Sequence, residues 1–264
     1  MKKLLLSVVS LFAITFSSPT AFAQGSATYV SDSTQLISAI ESAEENSLII
    51  LNNDITLDQK LTLNKSISLD LNKHKITIPE NYFIECGKKE LLTPDSKEYK
   101  YYNDIEVTIK NGDIKKAKGK NGLDILNSDN VMATKPTDVN NGHASSPNFS
   151  IMATSGILNL NHITIYGGDG GNGGNGTYVK DIHFLFSGSG SNGGNGGDGA
   201  DIFHTDMGNI YISDSSLTPG VGGKGGHGGN PNPNYWIWSG LKGSDGDDGK
   251  DGSIIDDPAK LYYR

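Results

Sequence analysis

The residues best suited to chemistry in this 264-residue chain are aromatic, and they fall in two short stretches, each bracketed by glycine tracts. Tyr178, Ile182, Phe184 and Phe186 occupy the first stretch, 177–187; Tyr235, Trp236 and Trp238 occupy the second, 231–239, which holds both tryptophans of the chain. Such rings bring a large, rigid contact area at small entropic cost, which suits recognition of a glycan or a cell-surface protein. Tyr178, Phe184, Phe186, Tyr235, Trp236 and Trp238 are therefore the candidate binding residues. The competing expectation is that they fold back into a small core that closes the tracts, and alternation across Ile182, Phe184 and Phe186 suits a strand with one buried face. Pro231, Pro233 and Asn234 beside the tryptophans favour presentation over packing.

Catalytic chemistry is weakly written, and no catalytic residue is assigned. A paired-carboxylate hydrolase needs two acids at a defined separation on one surface. Asp104, Glu106, Asp113 and Asp124 could supply them only if the fold brings them together. The histidines at 74, 143, 162, 183, 204 and 227 show no metal-ligand spacing, so no metal site is expected. Asp245, Asp247, Asp248 and Asp251, followed by Asp256 and Asp257, crowd carboxylates together, but their spacing fits neither an EF-hand nor a calcium-binding nonapeptide. A solvated acidic face is expected, with no cofactor, and calcium is the alternative. Between Gly87 and Asn103, Lys88, Lys89, Lys97 and Lys100 stand with Tyr99, Tyr101 and Tyr102; a solvated loop is the default and a second recognition surface the alternative. Cys86, the one cysteine, reads as a small buried apolar residue of a strand 82–86.

The glycine tracts must position the aromatic stretches. Four of them keep a three-residue step: 167–176 leads into the first stretch and 192–199 out of it, 220–230 into the second and 240–252 out. A period of three matches polyproline II, in which ten residues span about 30 Å. Each pair, over 167–199 and 220–252, would then be an arm with an aromatic tip. Flexible low-complexity linkers are the alternative. Phasing opposes it: Asp169, Asn172 and Asn175, then Asn195 and Asp198, then Lys224, His227 and Asn230 put a polar residue on one face of three tracts, where asparagine and lysine would meet water. The fourth tract keeps one glycine in three, too short and too poor in proline for a collagen stem.

Before the tracts, Asp32 as N-cap with Gln35 three residues on opens a helix over 33–43, with Leu36, Ile37, Ala39, Ile40 and Ala43 on one stripe. After it come short strand-like runs with apolar residues at positions 1, 3 and 8: Leu48, Ile50, Ile55; Leu69, Leu71, Ile76; Val107, Ile109, Ile114; Leu158, Leu160, Ile165; and Ile210, Ile212, Leu217. Asn53, Asn111 and Asp214 mark corners before position 8, and Leu261-Tyr262-Tyr263 starts a sixth copy. The first spacing, 21, is the size of one coil of a parallel β-helix, and the later ones leave room for insertions of about 17 and then about 30 residues.

The helix, then 48–57 and 67–78, resemble the right-handed parallel β-helix proteins of the pectate-lyase-like superfamily, in which a helix caps the open end of the coil stack. The resemblance implies the fold and leaves the activity open, because that superfamily holds enzymes, adhesins and tailspikes. Its eliminases use an arginine base, and Arg264 at the chain's end is the only arginine. Gly226-His227-Gly228 is similar to the Gly-His-Gly of polygalacturonases but is in phase with a glycine tract, and the expected Asp-Asp follows it instead of preceding it. The tracts themselves resemble the polyglycine-II bundles of some phage tail adhesins. The expected fold is all-β: a right-handed parallel β-helix with an N-terminal capping helix and polyglycine-II-like glycine-rich insertions.

Lys2-Lys3, the apolar run 4–16 and Ala21-Phe22-Ala23 make residues 1–23 a signal peptide, leaving 24–264 as a single domain that is secreted or extracellular, with the periplasm as alternative. Without that segment 20 basic residues face 30 acidic ones. A net charge of −10 opposes a nucleic-acid partner, and no later run is apolar enough for membrane insertion. An enzyme is less expected than a binding protein, with a polysaccharide lyase or glycoside hydrolase as the alternative. A strand at the end of the coil stack is an unpaired edge, from which a homo-oligomer through the C-terminal coil is expected.

Overall fold

The computed structural model describes residues 27–124, 149–177, 190–230 and 241–264. Helix α1 (Ser33–Ser42) starts as its cap residues dictate: Asp32 Oδ1 accepts the Gln35 N–H at 2.8 Å, and the Gln35 side chain reaches back to the Ser31 N–H. Its Leu36, Ala39 and Ile40 join the core beside the first strands, β1 (Thr28–Val30) and β2 (Ser47–Leu51).

The rest is strand. In chain order follow β3 (Ile55–Thr56), β4 (Leu61–Leu63), β5 (Ile67–Asp70), β6 (Lys75–Ile78), β7 (Ile84–Cys86), β8 (Lys89–Leu91), β9 (Tyr99–Tyr101) and β10 (Glu106–Lys116). After these come β11 (Phe149–Ala153), β12 (Ile157–Tyr166), β13 (Asp201–Thr205), β14 (Asn209–Ser213), β15 (Ser216–Thr218) and β16 (Leu261–Tyr263). One ten-stranded sheet runs β1-β2-β5-β10-β12-β14-β16, with β3, β6 and β15 continuing it past the corners; a second, four-stranded sheet runs β13-β11-β7-β4. Every pairing in both is parallel, so the chain alternates between the sheets and returns one strand further on, a winding compatible with a β-helix-like fold.

Parallel register stacks like on like. Val107 pairs with Leu158, Leu158 with Ile210 and Ile210 with Leu261, while Ile109, Leu160 and Ile212 form the next inward row. All but Leu261 are at most 2 % exposed, and burying each such side chain stabilises by about 1.5–3 kcal/mol. From the second sheet Leu61, Leu63, Ile84, Cys86, Ile151 and Phe203 face the same core.

Register corrects the template in its first two copies. Ser47 and Ile67 occupy the position of Val107, so Ile49 and Leu51, rather than Leu48 and Ile50, point inward. The cause is unequal corners: Asp70 pairs with Lys110 but Lys75 with Asp113, so the second coil holds two more residues there, with Asn72 and Lys73 both left-handed (φ 48° and 68°). Gly112 leaves the space that the buried Leu71 fills, since a Cβ there would lie 2.5 Å from that of Leu71. The last four copies hold as read. Asn111, His162 and Asp214 turn the same corner in three coils with φ of 62°, 52° and 48°, whereas Asn53 takes no left-handed conformation. The stretch 87–103 is a hairpin in which β8 and β9 pair antiparallel, and Tyr102 lies under the ammonium groups of Lys88 and Lys100.

Candidate functional site: the glycine struts and what they carry

The glycine tracts leave the ends of strands and continue the coil stacking without a sheet. Gly167, Gly170, Gly173 and Gly176 donate to the carbonyls of Thr218, Val221, Lys224 and His227, one coil later and in parallel. Ser191, Gly194, Gly197 and Ala200 donate to Thr177, Gly174, Gly171 and Gly168, so 190–200 returns antiparallel beside 167–177. Gly220 to Gly229 pair likewise with 191–200, and Gly243 to Gly252 with 220–229. The bonding repeats every third residue throughout.

Close approach demands glycine. A Cβ on Gly223 would sit 2.0 Å from the Gly171 oxygen, and one on Gly196 2.0 Å from that of Gly223. Tracts with neighbours on several sides, 167–176, 190–199 and 220–229, therefore carry two glycines per triplet. The outermost tract, 241–252, has one. A fifth tract, 117–124, joins them: Gly119 and Gly122 donate to Asp169 and Asn172, and this outer tract again has one glycine in three.

The phased polar residues are exposed but do more than meet water. Asn121 and Asp124 accept the N–H of Asn172 and Asn175 at 2.9 and 2.7 Å; Asp169, Asn172 and Asn175 accept those of Val221, Lys224 and His227 at 3.0, 3.0 and 2.9 Å. Asn192, Asn195, Asp198 and Asp201 do the same for Ser244, Asp247, Lys250 and Ser253. From the outer tract Asp251, Asp248 and Asp245 accept from Gly222, Gly225 and Gly228. As a result every backbone N–H from Gly220 to Gly229 is bonded. The acidic crowd at 245–251 is thus largely spent on backbone donors. Hydrogen bonds from Lys224 and the Gly225 N–H hold the Asp248 carboxyl below the usual range, and the Gly228 N–H, then Lys242, do so for Asp245. Among the described residues no group of three or more His, Cys, Asp or Glu side chains is arranged to hold a metal.

Tyr178, Phe184, Phe186, Tyr235, Trp236 and Trp238 lie outside the described residues. What carries them is described: Thr177, Ser191, Gly229 and Gly243 are joined by Ser191 N–H to Thr177, Gly229 N–H to Ser191 and Gly243 N–H to Gly229. The described residues that flank the two aromatic stretches therefore lie at the same end of the tract bundle.

The four acids weighed for catalysis are dispersed. Glu106 accepts from Asn159 at 2.7 Å, Asp124 is bound to Asn175, and Asp104 lines a small recess with Lys88 and Tyr102. Asp113 alone reaches the corner cleft, a groove of about 610 Å³ shared with Asp70, Asn72, Lys73, Asn111 and His162. There Asp70 is tied to the Asn111 amide at 3.1 Å and to Lys110 at 3.6 Å. His227 lies in its tract, 3.8 Å from Asp245, and Arg264 stacks 3.9 Å over the Tyr211 ring. Cys86 is fully buried, and burial pushes its thiol up, away from reactivity.

A ladder on the second sheet escaped the sequence. Lys60 lies 5.4 Å over Phe83, Phe83 meets Phe149 at 5.1 Å, and Phe149 stacks on His204 at 5.0 Å, with His204 Nδ1 2.5 Å from Asp256. Lys89 of the hairpin joins it through Asp206 at 2.6 Å. These residues follow no period, because insertions of unequal length separate them.

Together the sheets and struts define a mainly β, parallel-sheet chain with one α-helix among the described residues and no described helix long and apolar enough to cross a membrane. No family model, curated protein or solved structure was found to match it.

Proposed function

We propose that this chain is a secreted bacterial binding protein: a right-handed parallel β-helix whose glycine tracts form a polyglycine-II-like bundle and hold Tyr178, Phe184, Phe186, Tyr235, Trp236 and Trp238 out toward a glycan or cell-surface partner. One observation carries it. The tracts cross-bond at every third residue along their length, which is what a stiff strut requires and a tether lacks, and the residues flanking both aromatic stretches lie at the same end. A rigid mount limits the ordering entropy that binding must otherwise overcome.

The surface charge fits an uncharged or cationic partner better than nucleic acid. Self-association would use β16, whose far edge carries Tyr262 and Tyr263 at 41 % and 68 % exposure. Neither a metal nor a cofactor is needed for this role, calcium included.

The test is binding to a glycan array and to whole bacterial and host cells by the wild type and by Trp236→Ala/Trp238→Ala. Loss of binding with an unchanged far-UV spectrum supports the proposal; retained binding overturns it. The polysaccharide lyase or glycoside hydrolase alternative is favoured by one feature, the corner cleft with Asp113 and Asp70, and product release from a polysaccharide panel that disappears in Asp113→Asn would establish it in place of the binding role.

A further inference from the structure

The Asx ladders run from coil to coil and then stop. In the two preceding coils the Asx residues in phase offer Oδ1 to the next: Asn121 to Asn172, Asn172 to Lys224; Asp124 to Asn175, Asn175 to His227. In the last coil the seven residues that receive such a bond are Val221, Lys224, His227, Ser244, Asp247, Lys250 and Ser253. Six of the seven carry no amide or carboxylate oxygen to hand on.

The glycines change at the same place. Gly193, Gly196 and Gly199 must be glycine, because a Cβ on each would lie 2.0–2.2 Å from the oxygens of Gly226, Gly223 and Gly220. One coil later the equivalent positions hold Asp245, Asp248 and Asp251, side chains that fit only where no further tract lies over them. They fold back onto Gly228, Gly225 and Gly222, and Asp248 binds Lys224 at 2.7 Å. Both changes deny a further tract what it would need: an acceptor for its third N–H and a bare backbone to approach.

We infer that the last coil's glycine layer is a built end-stop, a face from which a second copy of this chain is excluded. The inner layers show that glycine tracts with Asx phasing bind one another wherever both faces are bare. An open layer of this kind would be the glycine counterpart of an exposed strand edge, a template for lateral assembly. At this end of the stack, self-association is thereby left to the β16 side. This goes beyond the binding role and holds whether or not the aromatic stretches bind anything.

The experiment reopens the face. In one variant Lys224→Asn, His227→Asn and Lys250→Asn restore the ladder; in a second, Asp245→Gly, Asp248→Gly and Asp251→Gly are added. Sedimentation of the full-length secreted protein is compared with the wild type across a hundredfold concentration range, with far-UV circular dichroism recorded on each. The second variant is expected to reach at least twice the wild-type mass at the highest concentration, and the first to show a smaller rise. Folded variants that keep the wild-type mass throughout overturn the inference. If the second variant does not fold, the first decides alone. Wild-type association that is abolished by Ser244→Trp, a block placed on this layer, also overturns it.

Discussion

Asn172 Oδ1 accepts the backbone N–H of Lys224 at 3.0 Å from fifty-two residues away, and Lys224 Nζ in turn holds Asp248 at 2.7 Å. In the tract 220–229 the carbonyls of neighbouring tracts satisfy one N–H per triplet and side chains of this kind satisfy the others, whereas in 190–200 carbonyls satisfy two per triplet. Asn121, Asn172, Asn175, Asn192 and Asn195 are thus each a structural bond between coils.

Asn172→Ala is expected to leave the Lys224 N–H without its acceptor. Because water can reach this exposed N–H, the cost should be about 0.5–1.5 kcal/mol, read as accelerated amide exchange at Lys224 and a lowered Tm. Wild-type exchange at Lys224 would show that the bond contributes nothing.

Gly223→Ala should be worse, because its methyl meets the Gly171 oxygen at 2.0 Å, among backbone atoms of Gly170 and Gly171 with no side chain to yield. Overpacking of this kind costs about 1–3 kcal/mol and at times more. Lys250→Ala, on the exposed outer tract, should stay within about 0.5 kcal/mol. Thermal unfolding of the two side by side checks the contrast.

Lys116 is buried at the junction of β10 and the first strut, its ammonium bonded to the carbonyls of Pro79, Glu80 and Tyr82. Burial pushes its pKa down to about 8. A folded value below the unfolded one means that the unfolded chain binds more protons between them, so this group makes stability rise with pH from about 8 toward the ordinary lysine value near 10.4. Denaturant titrations at pH 7.5 and 9.5 should show that rise, and Lys116→Met should remove it.

Acid acts on the outer strut. The carboxyls of Asp245 and Asp248 are held below their ordinary value, so their contribution is present above the usual carboxylate range and is lost as pH falls through it. Amide exchange at Gly225 and Gly228 should accelerate below about pH 4 before the sheet amides respond. Simultaneous loss would show that strut and sheet open as one unit.

Asp32→Ala removes the acceptor for the Gln35 N–H and should cost about 1 kcal/mol. Chemical denaturation measures it. An unchanged midpoint would mean that α1 is fixed by Leu36 and Ile40 alone.

Much of this architecture is legible before any coordinates. Asp32 with Gln35 marks the helix start, the spacing of Val107, Ile109 and Ile114 repeats at Leu158 and Ile210, and glycine every third residue announces the struts, because each is a local consequence of backbone geometry. Even the glycine count per triplet states how many neighbours a tract has, once the neighbours are known. Tertiary structure decided the rest: that Ile49 and not Leu48 faces inward, that 117–124 is a strut, that Asp104, Glu106, Asp113 and Asp124 part company, and that Lys60, Phe83, Phe149 and His204 line up. The physical reason is register. A hydrogen bond between coils joins residues some fifty positions apart, and corner and insertion lengths, which no local pattern fixes, determine which two residues meet.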